Sequence, residues 1–341
     1  MTCVEPLGAA ARESNVSQAR DRPQTPVLPF GASSIDEAAK AIGSGQCVAA
    51  PSETVYGLFA DATNAAAVAG IYAAKGRPSF NPLIVHVTDL AAAERIAQFD
   101  DTARDLARRF WPGPLTIVLP LRPEAGIATL VTAGLDTIAL RVPAHRACQA
   151  LLRRTGKPLA GPSANRSNSI SPTRAAHVAA SLDGRIALII DDGPTAVGLE
   201  STIVHKGRVL RPGPLSELEL FPTANDDPRT ADIVDPARVV APGQLASHYA
   251  PRKPLRIAAA HADHNEWMIG FGPMRCDDNL SVTGDLIEAA ANLFEALHRA
   301  DASSTLRIAI APIPTRGIGL AINDRLRRAA TKPSNLRYED N

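Results

Sequence analysis

The sequence predicts an α/β (α+β) chain, with a twisted mixed sheet carrying packed helices and then a smaller α/β unit. Three observations carry this reading. Helix and strand signals alternate from about Ser34 onward. A proline-rich stretch with few apolar clusters follows at 221–254, longer than most loops inside compact domains. A β-α-β pattern comes after it, and 341 residues is the length of two ordinary domains.

The elements follow in order. Ser34 and Glu37 have capping-box spacing, and Ile35, Ala38, Ala39 and Ile42 give a helical apolar face. Gly43 and Gly45 end that helix, and 47–50 reads as a short buried strand. Residues 83–87 form a stronger strand. Ala103, Leu106, Ala107 and Phe110 repeat at helical spacing until Pro112-Gly113-Pro114 stops them. Strands are expected at 115–119 and 137–142, a helix at 173–184 and a strand at 187–190. Residues 201–205 and 208–210 flank Lys206-Gly207 as a tight hairpin. The later pattern is a strand at 255–260, a helix at 285–299 and a strand at 306–311. The expected organisation is therefore a loosely attached tail (1–30), a first domain (31–220), a linker (221–254) and a second domain (255–335).

Composition excludes several classes. Apolar residues make up 45% of the chain, enough for ordinary cores. The net charge of +1 gives no global basic field, although a local patch would not show in that total. Cys3, Cys47, Cys148 and Cys276 form no Cys-x-x-Cys pair, which argues against a zinc ribbon or thioredoxin-like site. Their spacing suits free thiols in a reducing compartment. No apolar run is long enough to span a bilayer, and the first 30 residues lack the apolar core of a signal peptide. A cytoplasmic location is expected.

Standard nucleotide motifs are broken. Gly156-Lys157 runs into Pro158 and does not complete a P-loop, and Gly317-Ile318-Gly319 lacks the third glycine of a dinucleotide fingerprint. Four other clusters carry chemistry. Pro51-Ser52-Glu53-Thr54-Val55-Tyr56-Gly57-Leu58 follows a strand, where sites in open α/β sheets often lie. Alone, it reads more simply as a Ser-type turn with Thr54 capping the backbone. Lys75-Gly76-Arg77-Pro78 with Asn81-Pro82 places a point charge and a planar fork on a Gly/Pro-rich loop. That pair would suit a triphosphate, or equally a solvated surface. Pro162-Ser163-Ala164-Asn165 and Ser169-Ile170-Ser171-Pro172-Thr173 join a strand to a helix start, which suits phosphate binding or plain capping. Glu200-Ser201-Thr202-Ile203-Val204 and Arg211-Pro212-Gly213-Pro214 offer an arginine to a ribose, base or phosphate, or an ordinary strand edge. His86, among apolar neighbours, reads by default as a satisfied core histidine. Arg141, between Leu140 and Val142, needs a partner if it is buried, which suits a carboxylate.

Together with Trp111-Pro112-Gly113-Pro114-Leu115-Thr116 and 132–137, these clusters resemble the threonylcarbamoyl-AMP synthase family, whose core is the YrdC-like domain. Each is weak alone, but their order and spacing are specific. Residues 241–251, 290–297 and 316–325 resemble the linker and C-terminal domain of the family's long form, so the resemblance runs from about 34 to 330. Ser52 departs from the threonine of many members, and Ala246 from an aromatic linker residue of some.

The resemblance implies a YrdC-like domain, a linker folding over the site and a smaller Rossmann-like domain. It implies synthesis of threonylcarbamoyl-AMP and pyrophosphate from L-threonine, bicarbonate or CO2, and ATP. The product would pass to a tRNA threonylcarbamoyl transferase acting on adenosine 37, with a direct tRNA contact possible. By the same resemblance, Thr54, His86, Arg141, Gly161 and Ser201 form the L-threonine pocket. Lys75, Arg77, Asn81, Thr137, Ser163, Asn165, Ser171 and Arg211 form the ATP side, with Lys75 and Arg77 catalytic. His248 and Tyr249 belong to the linker lid. Mg²⁺ is expected with ATP, held mostly by phosphates rather than by a protein cage. The alternatives are an RNA-binding module without catalysis and a carbamoyl-adenylate-forming enzyme of metal-cofactor maturation.

Overall fold

The computed structural model describes residues 24–78, 80–222 and 248–331. The expected tail up to residue 23, linker residues 223–247 (Ala246 among them) and the last expected residues of the second domain, 332–335, lie outside the described residues.

The first unit is one ten-stranded mixed sheet. Its strands are β1 (Val27–Pro29), β2 (Val48–Pro51), β3 (Tyr56–Asp61), β4 (Ile84–His86), β5 (Leu115–Pro120), β6 (Thr137–Arg141), β7 (Leu159–Ala160), β8 (Leu188–Asp191), β9 (Thr202–His205) and β10 (Arg208–Arg211). They lie in the order β1-β8-β2-β3-β7-β4-β6-β5-β9-β10. The helices are α1 (Ala32–Gly43), α2 (Ala65–Lys75), α3 (Leu90–Glu94), α4 (Asp101–Phe110), α5 (Thr129–Thr132), α6 (Arg146–Thr155), α7 (Ala175–Leu182) and α8 (Glu217–Leu220).

Successive strand residues point to opposite faces, and the two faces are covered differently. On one, Leu58, Ala60, Val85, Ile117, Leu140 and Val204 enter the largest core with residues of α2, α4 and α7. On the other, Ala50, Phe59 and Leu159 pack with α1 and α6. This second helical layer stops part-way across. Beyond it, Ile84, Val118, Ala139 and Ile203 cluster with Leu210, all of them strand residues. Among the described residues no helix packs on this cluster, and here a ligand can lie directly on the sheet.

The second unit has β11 (Leu255–Arg256), β12 (Glu266–Gly270), β13 (Asp278–Asn279), α9 (Leu286–Ala302), β14 (Arg307–Ile310) and α10 (Gly319–Ala330). Its four strands are all parallel, in the order β11-β14-β12-β13. The two units share a core, because Val55, Ile170 and Leu199 pack among the apolar residues of α9, β14 and α10. Gly198 fits this contact closely. It has φ +74°, and a Cβ there would lie 2.5 Å from the Ala291 carbonyl oxygen.

Several expectations need correction. Ser34 does not cap α1: the helix begins at Ala32, and Ser34 accepts the Gly31 N–H at 3.0 Å from inside the first turn. The strand expected at 255–260 is reduced to Leu255–Arg256, with Ala258 at φ 56° beyond it. The β-α-β pattern is present but gains two further strands and a helix. The hairpin is as expected, with Lys206 at φ 47° and Gly207 at φ 71° supplying the paired positive angles of its turn.

Candidate active site

The cluster at 51–58 is not a loop leaving the sheet but the turn of a hairpin. β2 and β3 pair antiparallel from Val48↔Phe59 to Pro51↔Tyr56. Ser52 builds the turn, its Oγ donating to the Val55 carbonyl at 2.7 Å and accepting the Thr54 N–H at 3.2 Å. Because Ser52 does the turn chemistry, Thr54 is available to other groups: its Oγ1 accepts from Arg141 Nη1 at 2.9 Å. Arg141 ends β6 and is buried. Its partner is Glu53, which accepts from Nη2 at 2.6 Å, while Nε donates to the Gly113 carbonyl at 3.2 Å. A guanidinium fixed at three points presents one orientation to a ligand.

Register places the neighbours of Arg141. His86 pairs with it across β4 and β6, and the next residue beyond β7, Gly161, donates its N–H to the Ile84 carbonyl at 2.9 Å. The default reading of His86 is overturned. It is buried, yet Nδ1 has no partner among the described residues. Burial, then the charge of Arg141, pushes its pKa down to about 3, so the ring is neutral near pH 7. A Cβ on Gly161 would come within 3.0 Å of that Nδ1 and 2.5 Å of the Phe59 ring, so only glycine keeps this space open.

The basic cluster also differs from expectation. Lys75 is not on a loop but is the last residue of α2, whose end is set by Gly76 at φ 60°. It is 2% exposed, and its Nζ donates to the carbonyls of Ser163 and Asn165, each at 2.5 Å. Arg77 donates to the carbonyls of Asn81 (3.2 Å) and Pro82 (2.9 Å). Among the described residues neither cation has a carboxylate partner. Burial, and then the Lys75–Arg77 proximity, lowers the Lys75 pKa well below its usual value. Burial likewise takes Arg77 down to about 10. Arg211 is not a surface residue either. It is buried at the end of β10 and donates to the Ser201 carbonyl and to Ser201 Oγ.

Thr54, His86, Arg141, Gly161 and Ser201 all line one cavity, together with Arg77, Ser163, Arg211, His248 and Tyr249. Lys75 and Asn165 stand behind Ser163, and Asn81 stands behind Arg77. Asn81 and Asn165 each keep a buried Oδ1 without a partner among the described residues, as do His248 Nδ1 and the Tyr249 hydroxyl. Thr137 does not line the cavity; it is half-buried at the opposite end of β6 from Arg141. Two-residue periodicity puts it on the same sheet face as Ala139 and Arg141.

The pattern described as "telomere recombination", covering Sua5, yciO and yrdC proteins, matches residues 40–213. The threonylcarbamoyl-AMP synthase C-terminal domain matches 214–331. The chain is 39% identical to the threonylcarbamoyl-AMP synthase of Bacillus subtilis, covering 87% of this chain and 92% of that protein. This chain belongs to the threonylcarbamoyl-AMP synthase family. The Pyrococcus abyssi synthase is also 39% identical, over 86% of this chain and 93% of its own. The crystal structure of P. abyssi Sua5 complexed with L-threonine superposes with a TM-score of 0.80 at 35% identity, covering 90% of this chain and 97% of that one.

Glu200 and Arg325 were given no role in the site by the sequence reading. Glu200 lines the cavity, accepting from Ser171 Oγ at 2.5 Å and from Arg325 Nε at 2.9 Å. Arg325 comes from α10 and has 0% exposure. Arg325 lies in a segment that resembles the family, but the sequence contains no signal that pairs it with a glutamate 125 positions away. Among the described residues, no three His, Cys, Asp or Glu side chains come together as a metal cage.

Proposed function

We infer that the chain makes threonylcarbamoyl-AMP and pyrophosphate from L-threonine, bicarbonate or CO2, and ATP. The observation that carries this is the meeting of Thr54, His86, Arg141, Gly161 and Ser201, from five separate segments, in one cavity beside Arg77 and Arg211.

In this reading Arg141 takes the threonine carboxylate, oriented by Glu53 and Gly113. Neutral His86 offers Nδ1 to the amino acid. The free amine adds CO2 and gives up a proton to solvent to form a carbamate, and a carbamate oxygen attacks the α-phosphorus as pyrophosphate leaves. The protein's task is positioning and charge neutralisation. Arg77 and Arg211 face the polyphosphate, and Lys75 fixes the 163–165 backbone next to it. Mg²⁺ arrives as part of the ATP substrate. The two carboxylates nearest the site are engaged already, Glu53 with Arg141 and Glu200 with Ser171 and Arg325. The apolar strand floor of Ile84, Val118, Ala139 and Ile203 suits the nucleoside. Thr137 lies about 13 Å along the strand from Arg141, at ~3.3 Å per residue, within reach of an extended nucleotide. His248 and Tyr249 wall the cavity against water, which the mixed-anhydride product requires.

The product's consumer is a transferase that places the threonylcarbamoyl group on tRNA, and the cytoplasm is where ATP and tRNA meet. No described helix is long and apolar enough to cross a membrane. The test is pyrophosphate release with MgATP and bicarbonate, with and without L-threonine. Release that needs threonine and bicarbonate is expected, with serine a poor replacement. Release indifferent to threonine would sink the reading.

A further inference from the structure

A buried side chain of the second unit, Arg325, reaches the site. Arg325 is wholly buried, and its Nη1 donates to the Pro212 carbonyl and to Asp324 Oδ2, both at 2.8 Å. Its Nε holds Glu200 Oε2 at 2.9 Å. The guanidinium also lies 5.2 Å from the Tyr249 ring centre, and Phe294 stacks on the same ring at 5.7 Å. Arg325 therefore touches a cavity-lining carboxylate of the first unit and a cavity-lining ring from the segment that leads into the second.

Glu200 is the element of the cavity that needs explanation. A buried carboxylate facing a polyphosphate is repulsive unless a cation neutralises it. Lys75 and Arg77 do not pair with it. Arg325 does, and the other oxygen of Glu200 then fixes the Ser171 hydroxyl. We propose that Arg325 is a positioning residue of the nucleotide side, through which the second unit neutralises and orients Glu200 so that the cavity accepts ATP. This rests on the reading of the cavity given above. It gives the second unit a defined part in substrate binding.

The experiment is a binding cycle by calorimetry on the full-length protein, with ATP and L-threonine titrated separately. Arg325→Met leaves Glu200 charged without its ion-pair partner, with Ser171 and the more distant field of Arg211 remaining. It is expected to weaken ATP binding about tenfold or more and to leave L-threonine binding within about twofold. Glu200→Gln/Arg325→Met removes both charges and should recover most of the lost ATP affinity. A role confined to holding the fold together predicts no such recovery. If the double variant binds ATP no better than Arg325→Met, or if both substrates weaken together, the proposal is overturned. Thermal melts confirm folding. Should Arg325→Met not fold, Glu200→Gln/Arg325→Gln replaces the ion pair with an amide pair: near-native ATP affinity supports the proposal and a tenfold loss overturns it. A wild-type protein that binds ATP yet releases no pyrophosphate with threonine would count against the synthase reading, while the binding cycle still decides the role of Arg325.

Discussion

Lys75 shows how a single residue can be read correctly in chemistry and wrongly in place. The Lys-Gly-Arg-Pro run suggests a solvated loop, yet Gly76 serves as the left-handed end of a helix and Lys75 turns inward. Its ammonium satisfies two buried carbonyls, so removing it leaves both unpaired at about 1–3 kcal/mol each. Lys75→Ala is expected to lower both stability and turnover, the latter at least about tenfold. Arg77→Ala is expected to lower turnover to a similar degree with a smaller change in melting temperature, since Arg77 is half-buried where Lys75 is buried. Normal turnover in both variants would remove the phosphate-clamp role. Gly161 makes the complementary case on the threonine side. Gly161→Ala puts a methyl 2.5 Å from Phe59 and 3.0 Å from His86 Nδ1. The threonine KM should rise about tenfold while the ATP KM holds, and equal shifts in both would show general distortion instead. Residue type alone marked Arg141 as needing a partner, whereas Thr54 and Arg211 were given site roles only through the family resemblance. It did not reach Glu53 as the partner of Arg141, or Arg325 as that of Glu200, because those pairs are 88 and 125 positions apart.

At the scale of elements, strands with turn signals at both ends were legible. The β9–β10 hairpin is the clearest, because Lys206-Gly207 punctuates it. β3 was missed because all its residues are buried and it follows a cluster whose polar residues read as a loop. α2 was missed because it is alanine-rich and has no clear polar face to mark a helical period. β7 and β13 are two residues long, set by pairing partners rather than by local propensity. The 198–201 segment links elements to function, since it ends in Glu200 and Ser201 and begins where the chain touches α9. Gly198 allows that contact through a positive φ and the lack of a side chain. Gly198→Ala adds left-handed strain and a clash with backbone carbonyls, a cost of about 2 kcal/mol or more. A lower melting temperature with weaker substrate binding is expected. A variant as stable as the parent would mean that the contact with α9 yields easily.

On the scale of the whole molecule, near-zero net charge hides a strongly uneven interior. Among the described residues Lys75 and Arg77 are buried or half-buried in the site without a carboxylate partner, His86 and His248 are buried close by, and His177 and His298 are half-buried at the junction of the units. His86 and His248 line the cavity. His177 of α7 stacks on His298 of α9 at 3.8 Å, facing Glu295, Arg174 and Arg299, with the field of Asp301 also acting on His298. Burial is the first cause of the lowered pKa at all four, and neighbouring cations or the partner ring add to it at His86, His248 and His177. The sign follows directly. In the unfolded chain these rings protonate near pH 6.5, whereas in the folded protein all four titrate lower, His86, His177 and His248 well below that. Between the two pKa values the unfolded state binds more protons, so stability rises with pH and is lost as pH falls from about 6.5. Carboxylates titrate mostly below this window. Protonating these rings as the pH falls from about 6.5 towards 5 therefore costs stability. Denaturant unfolding should therefore be nearly level from pH 7 to 8 and fall steeply towards pH 5. His177→Gln/His298→Gln should remove about half of that fall, because it takes out the pair at the junction and leaves the pair in the cavity. Equal stability at pH 5 and pH 7 would show that these rings accept protons without unfolding, and that the packing between the two units is looser than the shared core implies.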